Sequence, residues 1–472
     1  MADQADIRRL LFFLLVTYQF PVLVVADQCP AICECSLLTT LCRRNSDGFV
    51  PDDLPVGTEV LSIQGILNDN DDSCSPITGN FTDLLSVSVR NNNLQIVCNN
   101  TLSDLTTVQK LYLNHNSISV LHKRAFAGLH RLREVYLDHN ALSELPGECF
   151  SGLANLHRLS LPFNHLSVLS LSDLTSLRVL NLSSNKFNSL PSLGGIPRLE
   201  MLDLSHNDFT SISVHSLYKM KSIEVMDLSA NPVSVLGPGS MDSIHVVELR
   251  LNSMPNLMLI EAGAFHNLPN LRRLQLKENE KLAFIDPDAF SGVDQLQNLD
   301  IAGSGLLAFP PGVFDVIGGI PSIDLTGNPL VCACTLQWMR RLQESVVFRN
   351  VSYWTCQEAQ QTRHLSEIMT TRAASTECGP LAELLRDEDQ DYIGNAALQY
   401  HCRGIGDPAP AVHWRIPNNR ILNGSYSDGK FTLYPSGTLS ILRPTKSDSG
   451  MYTCVAQSGS QSNASSVILN VH

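Results

Sequence analysis

The amino-acid pattern predicts an α/β solenoid, a horseshoe of stacked coils with a parallel sheet on its concave face. Disulfide caps close its ends, and an all-β sandwich follows. Three observations carry this expectation. An L-x-x-L-x-L-x-x-N-x-L pattern recurs every 21–26 residues between about residues 58 and 330. Cys clusters flank that stretch on both sides. The last part of the chain carries a Cys402…Trp414…Cys454 pattern among short alternating strands.

Composition agrees with a folded, multi-domain chain. Its 472 residues include 33 Lys+Arg and 46 Asp+Glu, so the formal net charge is −13. Apolar residues make up 43%, enough to pack cores and to exclude a disordered chain. The acidic balance repels phosphate backbones, so no nucleic-acid partner is expected.

Residues 1–26 read as a secretory signal. Arg8 and Arg9 precede an apolar run from Leu10 to Val25, and Val24-Val25-Ala26 offers small residues for cleavage. Six Asn-x-Ser/Thr sequons fit the same compartment: Asn80, Asn99, Asn181, Asn350, Asn423 and Asn463. The expected location is therefore extracellular, either secreted or on the outer face of the plasma membrane. Membrane attachment is expected only if the chain continues past His472.

The repeats come next. Clear copies are Val108-x-x-Leu111-x-Leu113-x-x-Asn116, Leu132-x-x-Val135-x-Leu137-x-x-Asn140 and Leu156-x-x-Leu159-x-Leu161-x-x-Asn164. Others run to Ile320-x-x-Ile323-x-Leu325-x-x-Asn328, about twelve coils in all. This is the leucine-rich repeat signature. Alternating apolar residues make a short strand with one face inward. The Asn turns the chain and bonds backbone groups of neighbouring coils that would otherwise be buried unpaired. Each coil leaves apolar edges that only the next covers, so the unit stacks. Phe126, Phe150, Phe265, Phe290 and Phe314 are expected in the core of the convex half. The Asn series breaks at Met254 and Ser304, where a local change of curvature is expected.

Cys29-x3-Cys33-x-Cys35-x6-Cys42 resembles the N-terminal cap of leucine-rich repeat proteins, and that resemblance implies the pairs Cys29–Cys35 and Cys33–Cys42. Asn328-Pro329-Leu330-x-Cys332-x-Cys334-x3-Trp338, with Cys356 and Cys378, resembles the C-terminal cap. There the resemblance implies Cys332–Cys356 and Cys334–Cys378. Zinc is the rival for such clusters, and the signal segment favours disulfides instead. Cys74 and Cys98 remain as a candidate pair. Cys149 takes the place that Ala125 holds one coil earlier and reads as a small buried thiol.

From about residue 380, Cys402, Trp414 and Asp448-Ser449-Gly450-Met451-Tyr452-Thr453-Cys454 describe an immunoglobulin-like sandwich. Cys402 and Cys454 bridge its sheets in this reading, Trp414 packs on the bond, and Tyr452 forms the tyrosine corner. Lys430 is expected to pair with Asp448 as a structural contact. The expected divisions are 1–26 signal, 27–57 N-terminal cap, 58–330 repeats, 331–379 C-terminal cap and 380–472 sandwich. This order resembles that of neural and epithelial recognition proteins. His413-Trp414-Arg415-Ile416-Pro417, Asp428-Gly429-Lys430-Phe431 and Tyr452-Thr453-Cys454-Val455-Ala456-Gln457 look most like the neuronal leucine-rich repeat protein family. Members of that family usually continue into a fibronectin type III domain, one membrane span and a short tail.

Function is expected on the concave face. Its coils from 109 to 163 gather Tyr112, His115, Arg133, Tyr136, His139 and Phe163, a composition typical of protein-binding hot spots. Coils near 200–228 turn acidic, and Arg250, Arg272, Arg273 and Lys277 restore positive charge. A sugar on Asn181 would screen the middle coils and leave the N-terminal ones open. No nucleophile elbow, H-E-x-x-H or P-loop occurs, so no enzyme, cofactor or metal is expected. The fourteen His show no metal-ligand spacing. The Asp69-Asn70-Asp71-Asp72 run lacks the Gly a calcium loop needs. The expected function is an adhesion molecule or receptor ectodomain that binds a protein partner. A secreted matrix or ligand-sequestering protein, and an innate-immune sensor, are the alternatives.

Overall fold

The computed structural model describes residues 29–43, 54–65, 77, 79, 81–171, 173–214, 217, 220, 223–309, 313, 322–332, 347–358, 361–364, 379–385, 397–406 and 409–472. The signal segment, Asn80, Cys74, Phe314, Cys334 and Cys378 lie outside them.

One continuous sheet of fifteen strands runs through the solenoid. It opens with the antiparallel cap pair Cys33–Cys35 and Thr39–Arg43, which is held by the disulfides Cys29–Cys35 and Cys33–Cys42. Twelve parallel strands follow, from Val60–Gln64 to Ser322–Asp324, and Val347–Phe348 closes the edge. Most strands are only three residues long, because the turn after each strand redirects the chain. Their middle residues, such as Leu111, Val135, Leu159, Leu180 and Leu202, are fully buried. Burying one such side chain contributes roughly 1.5–3 kcal/mol.

The Asn ladder makes the bonds its pattern anticipates. Asn140 donates to the Leu113 carbonyl of the previous coil (3.0 Å) and the Leu137 carbonyl of its own (2.9 Å), and accepts from the Ile118 N–H (2.9 Å). At the first break Met254 is buried, and its N–H donates to Asn279 Oδ1 (2.8 Å). At the second break the Ser304 hydroxyl donates to the Leu276 carbonyl at 2.8 Å, taking over one amide role. Strand register continues through both coils.

The return side of the coils contains turns, isolated 3-10 segments and short strands, with almost no helix among the described residues. Stacked rings fill it: Phe126 on Phe150 (5.4 Å) and Phe265 on Phe290 (5.5 Å). Gly128 follows Phe126 at φ +91°, and a Cβ there would sit 2.7 Å from the Ser103 carbonyl oxygen of the preceding coil. Only Gly permits both that conformation and that approach. Cys149 is buried and unbonded, and burial pushes its thiol up to about 12. Cys98 is disulfide-bonded, and Cys332 bonds Cys356.

The C-terminal module is a sandwich of a five-stranded and a four-stranded antiparallel sheet. Cys402–Cys454 joins them beside the buried Trp414, whose Nε1–H donates to the Gly437 carbonyl at 2.9 Å. Tyr452 donates its hydroxyl proton to the Asp448 carbonyl at 2.8 Å, and Lys430 Nζ lies 2.7 Å from Asp448. The module touches the solenoid where Val235–Leu236, Leu259–Ile260 and Phe284–Ile285 form a second short sheet. Leu385 packs with Met258 and Leu259 there. Arg403, only 3% exposed, reaches Glu261 Oε1 at 3.1 Å and lies over the Phe284 ring. Burial pushes the Arg403 guanidinium below its usual range, and Glu261 and Asp286 oppose that shift.

Candidate functional site

In-register parallel strands place equivalent residues of adjacent coils one strand spacing apart, about 4.8 Å. Lys110–Tyr112 pairs with Glu134–Tyr136 in this way, Tyr112 opposite Tyr136. Their rings stack nearly parallel with centroids 4.8 Å apart. Tyr136 donates to Glu134 Oε2 at 2.8 Å, and Glu134 Oε1 lies 3.1 Å from Lys110 Nζ. Burial and then the Glu134 carboxylate push the Tyr136 phenol up to about 12.

A second stack stands just beyond the strand ends. His139 lies between His115 (4.2 Å) and Phe163 (4.3 Å), ring on ring. All three residues have φ +54°, as the turn before each ladder Asn requires. His is one of the few non-Gly residues enriched in this left-handed conformation, whereas Phe there is an outlier. Phe163 is also 52% exposed. Arg133 is exposed next to Glu134. The six residues singled out from sequence thus fall on coils 109–163, five of them in two stacks of rings.

Further along the same face the charges differ from their sequence reading. The acidic column of Asp203 and Asp227 is occupied with turns: each carboxylate accepts the N–H two residues on, from Ser205 (3.0 Å) and Ser229 (2.9 Å). Asp324 does the same for Thr326 (2.9 Å). Asn181 belongs to this series, its amide oxygen accepting from the Ser183 N–H at 2.9 Å. Nor do Arg250, Arg273 and Lys277 present a bare positive patch. Glu248, with its side chain 8% exposed, lies 2.6 Å from both Arg250 and Arg273, and Arg250 also faces Asp227 at 3.8 Å. Lys277 pairs with Asp300 at 2.9 Å. Burial pushes the Glu248 carboxyl up, but Arg273 and Arg250 prevail and hold it below its ordinary range. Lys110, Glu134, Arg158, Glu248 and Arg273 share one column beside the buried Leu positions, and the Lys110–Glu134 and Glu248–Arg273 pairs run along it.

The sequons are accessible in part. Asn99, Asn350, Asn423 and Asn463 are exposed and Asn181 is half-buried. Asn350 donates its amide proton to Asp324 at 2.7 Å. Spacing along the chain gives no metal-ligand pattern among the His residues, and strand register brings residues of neighbouring coils together. Ligand atoms of His115, Asp138 and His139 all lie within 4.8 Å of one another. Among the described residues no helix is long and apolar enough to cross a membrane.

A capped stack of coils with a sandwich against its return side defines a modular repeat scaffold. The Leucine rich repeat family matches residues 82–142, 130–187, 197–254 and 244–306, and the Immunoglobulin domain family matches 389–458. The chain carries leucine-rich repeats and an immunoglobulin domain. It is 28% identical over 218 residues to leucine-rich repeat and fibronectin type III domain-containing protein 1 of Danio rerio, covering 43% of this chain and 35% of that one. It is 27% identical over 232 residues to leucine-rich repeat and fibronectin type-III domain-containing protein 4 of Rattus norvegicus, covering 47% and 34%. The chain thus spans about a third of the length of these relatives. Their names carry the fibronectin module that the neuronal resemblance implies. Among solved structures, FLRT2 in its octameric complex with latrophilin 3 and Unc5D is similar in fold (TM-score 0.51, 22% identity, 71% of this chain and 96% of that one). So is the TLR13–ssRNA13 complex (TM-score 0.50, 24% identity, 65% and 42%).

Proposed function

We propose that this protein is an extracellular recognition molecule that docks a protein partner on coils 109–163 of its concave face. The observation that carries this reading is the pair of ring stacks on adjacent coils, the half-buried Tyr112–Tyr136 and the exposed His115–His139–Phe163. Phe163 is the sharpest part of it. A bulky apolar side chain held at positive φ and half exposed is costly twice over, in backbone strain and in hydration, and such costs concentrate at functional sites. Rings locked by stacking lose little side-chain entropy on binding, which is why aromatic anchors dominate interfaces.

The disulfides support a secretory-pathway location. FLRT2, similar in fold, is seen in a complex with proteins, which agrees with a protein partner here. A sugar on Asn181 would border the patch on its C-terminal side. The role is binding, with no catalytic step. The test is a binding screen of the mature chain against cell-surface ectodomains, repeated with Tyr112→Ala/Tyr136→Ala. Loss of the partner supports the patch. Unchanged binding overturns it.

A further inference from the structure

The geometry points to a divalent transition-metal site, of zinc type, formed by His115, His139 and Asp138 across two adjacent coils. It does not depend on the docking reading, because it concerns the purified chain alone. Two imidazoles and one carboxylate are the ligand set that zinc and its neighbours prefer, and one carboxylate is too few oxygens for calcium or magnesium.

The backbone holds the ligands together before any ion arrives. The His115 N–H donates to the Asp138 carbonyl at 3.0 Å, and the His139 N–H donates to the Pro162 carbonyl at 3.0 Å. Both histidines share the same left-handed turn at φ +54°, so their rings leave the backbone in the same direction and meet at 4.2 Å. Asp138 Oδ2 stands 3.2 Å from His139 Nδ1. Zinc takes nitrogen and oxygen ligands at about 2.0–2.2 Å, so in a tetrahedron they lie roughly 3.4 Å apart. The three ligand atoms, within 4.8 Å of one another, therefore need to move by only about 1 Å, the two exposed imidazoles turning out of their stack toward the half-buried carboxylate. Phe163 caps the far face of the His139 ring and limits the directions it can turn. The fourth position opens to solvent and takes water or a group from outside the chain.

The experiment is calorimetric titration of Zn2+ into the untagged mature chain, with Co2+ as a visible-absorption probe of coordination. One saturable site is expected. His115→Ala, His139→Ala and Asp138→Asn should each weaken it by about tenfold or more. His206→Ala, the same turn position three coils on, should leave it unchanged. None of the four side chains is buried, so circular dichroism should be unaltered. The absence of saturable binding, or wild-type affinity in any of the three ligand variants, overturns the site.

Discussion

Coils 109–163 and coils 225–300 present the same surface of the same sheet, yet their side chains are spent differently. In the later coils Glu248, Arg250, Arg273, Gln275, Lys277, Asp227 and Asp300 bond one another. The opposite side of coils 235–285 is also engaged, against Leu385 and Arg403 of the sandwich. In the earlier coils the rings stack on their equivalents one coil away, with Tyr136 also bonded to Glu134 and His139 to Asp138, and His115, His139 and Phe163 stay exposed. A repeat scaffold can thus use one half for internal support and keep the other for recognition, because each coil answers only to its neighbours.

The largest effect follows from this division. Tyr112→Ala/Tyr136→Ala should cost about 4 kcal/mol of partner affinity, roughly a thousandfold, if each ring is a hot spot. Arg250→Ala/Arg273→Ala should change it by less than about threefold, since those groups are already partnered. Surface plasmon resonance with the partner measures both, and equal losses would erase the distinction between the halves. Next in size is Arg403→Ala. Removing a nearly buried cation that bonds Glu261 should cost about 3 kcal/mol of module docking. Small-angle scattering should then show a longer molecule, while the sandwich keeps its melting transition. Unchanged scattering would mean that the return side of the later coils does not hold the module.

Legibility in sequence was uneven for physical reasons. Positions such as Leu111 and Asn140 repeat because every coil must meet the same burial and bonding demand, so their role is written in the period itself. The ring stacks were visible as columns because equivalent positions in adjacent coils are obliged to touch. The salt bridges were harder. Glu248 pairs with Arg273 only through cross-coil register, and counting charges along the chain made Arg250 and Arg273 look free. Asp203-x-Ser205 and Asp227-x-Ser229 did carry a local signal, a carboxylate two residues before a hydroxyl residue, which marks a turn. The Arg403–Glu261 contact spans 142 residues and two modules, and no local pattern encodes it. The His115–Asp138–His139 convergence hid because its ligands are a coil apart.

A smaller effect compares two carboxylates of one column. Glu134 in the earlier coils keeps 25% of its side chain exposed, and Glu248 in the later coils keeps 8%. Glu248→Gln should cost about 1–2 kcal/mol of stability at neutral pH, and Glu134→Gln about 0.5 kcal/mol, because Glu134 remains better hydrated.

The acid dependence gives a finer separation still. In both groups burial pushes the carboxyl up from 4.5, but the hydrogen bonds prevail and the folded value falls below it, through Arg273 and Arg250 for Glu248 and through Tyr136 and Lys110 for Glu134. A depressed folded value means that the contribution is complete above 4.5 and is lost as pH falls through the folded value. The gap between wild type and Glu248→Gln should therefore be constant from pH 7 to about 5 and close below 4.5. The Glu134→Gln gap should close in the same window from a smaller starting value. Denaturant titrations at pH 7, 5 and 3 measure both. A Glu248→Gln gap already absent at pH 7 would show that the charge between Arg250 and Arg273 adds nothing, and the later coils would then be supported by packing instead of ion pairing.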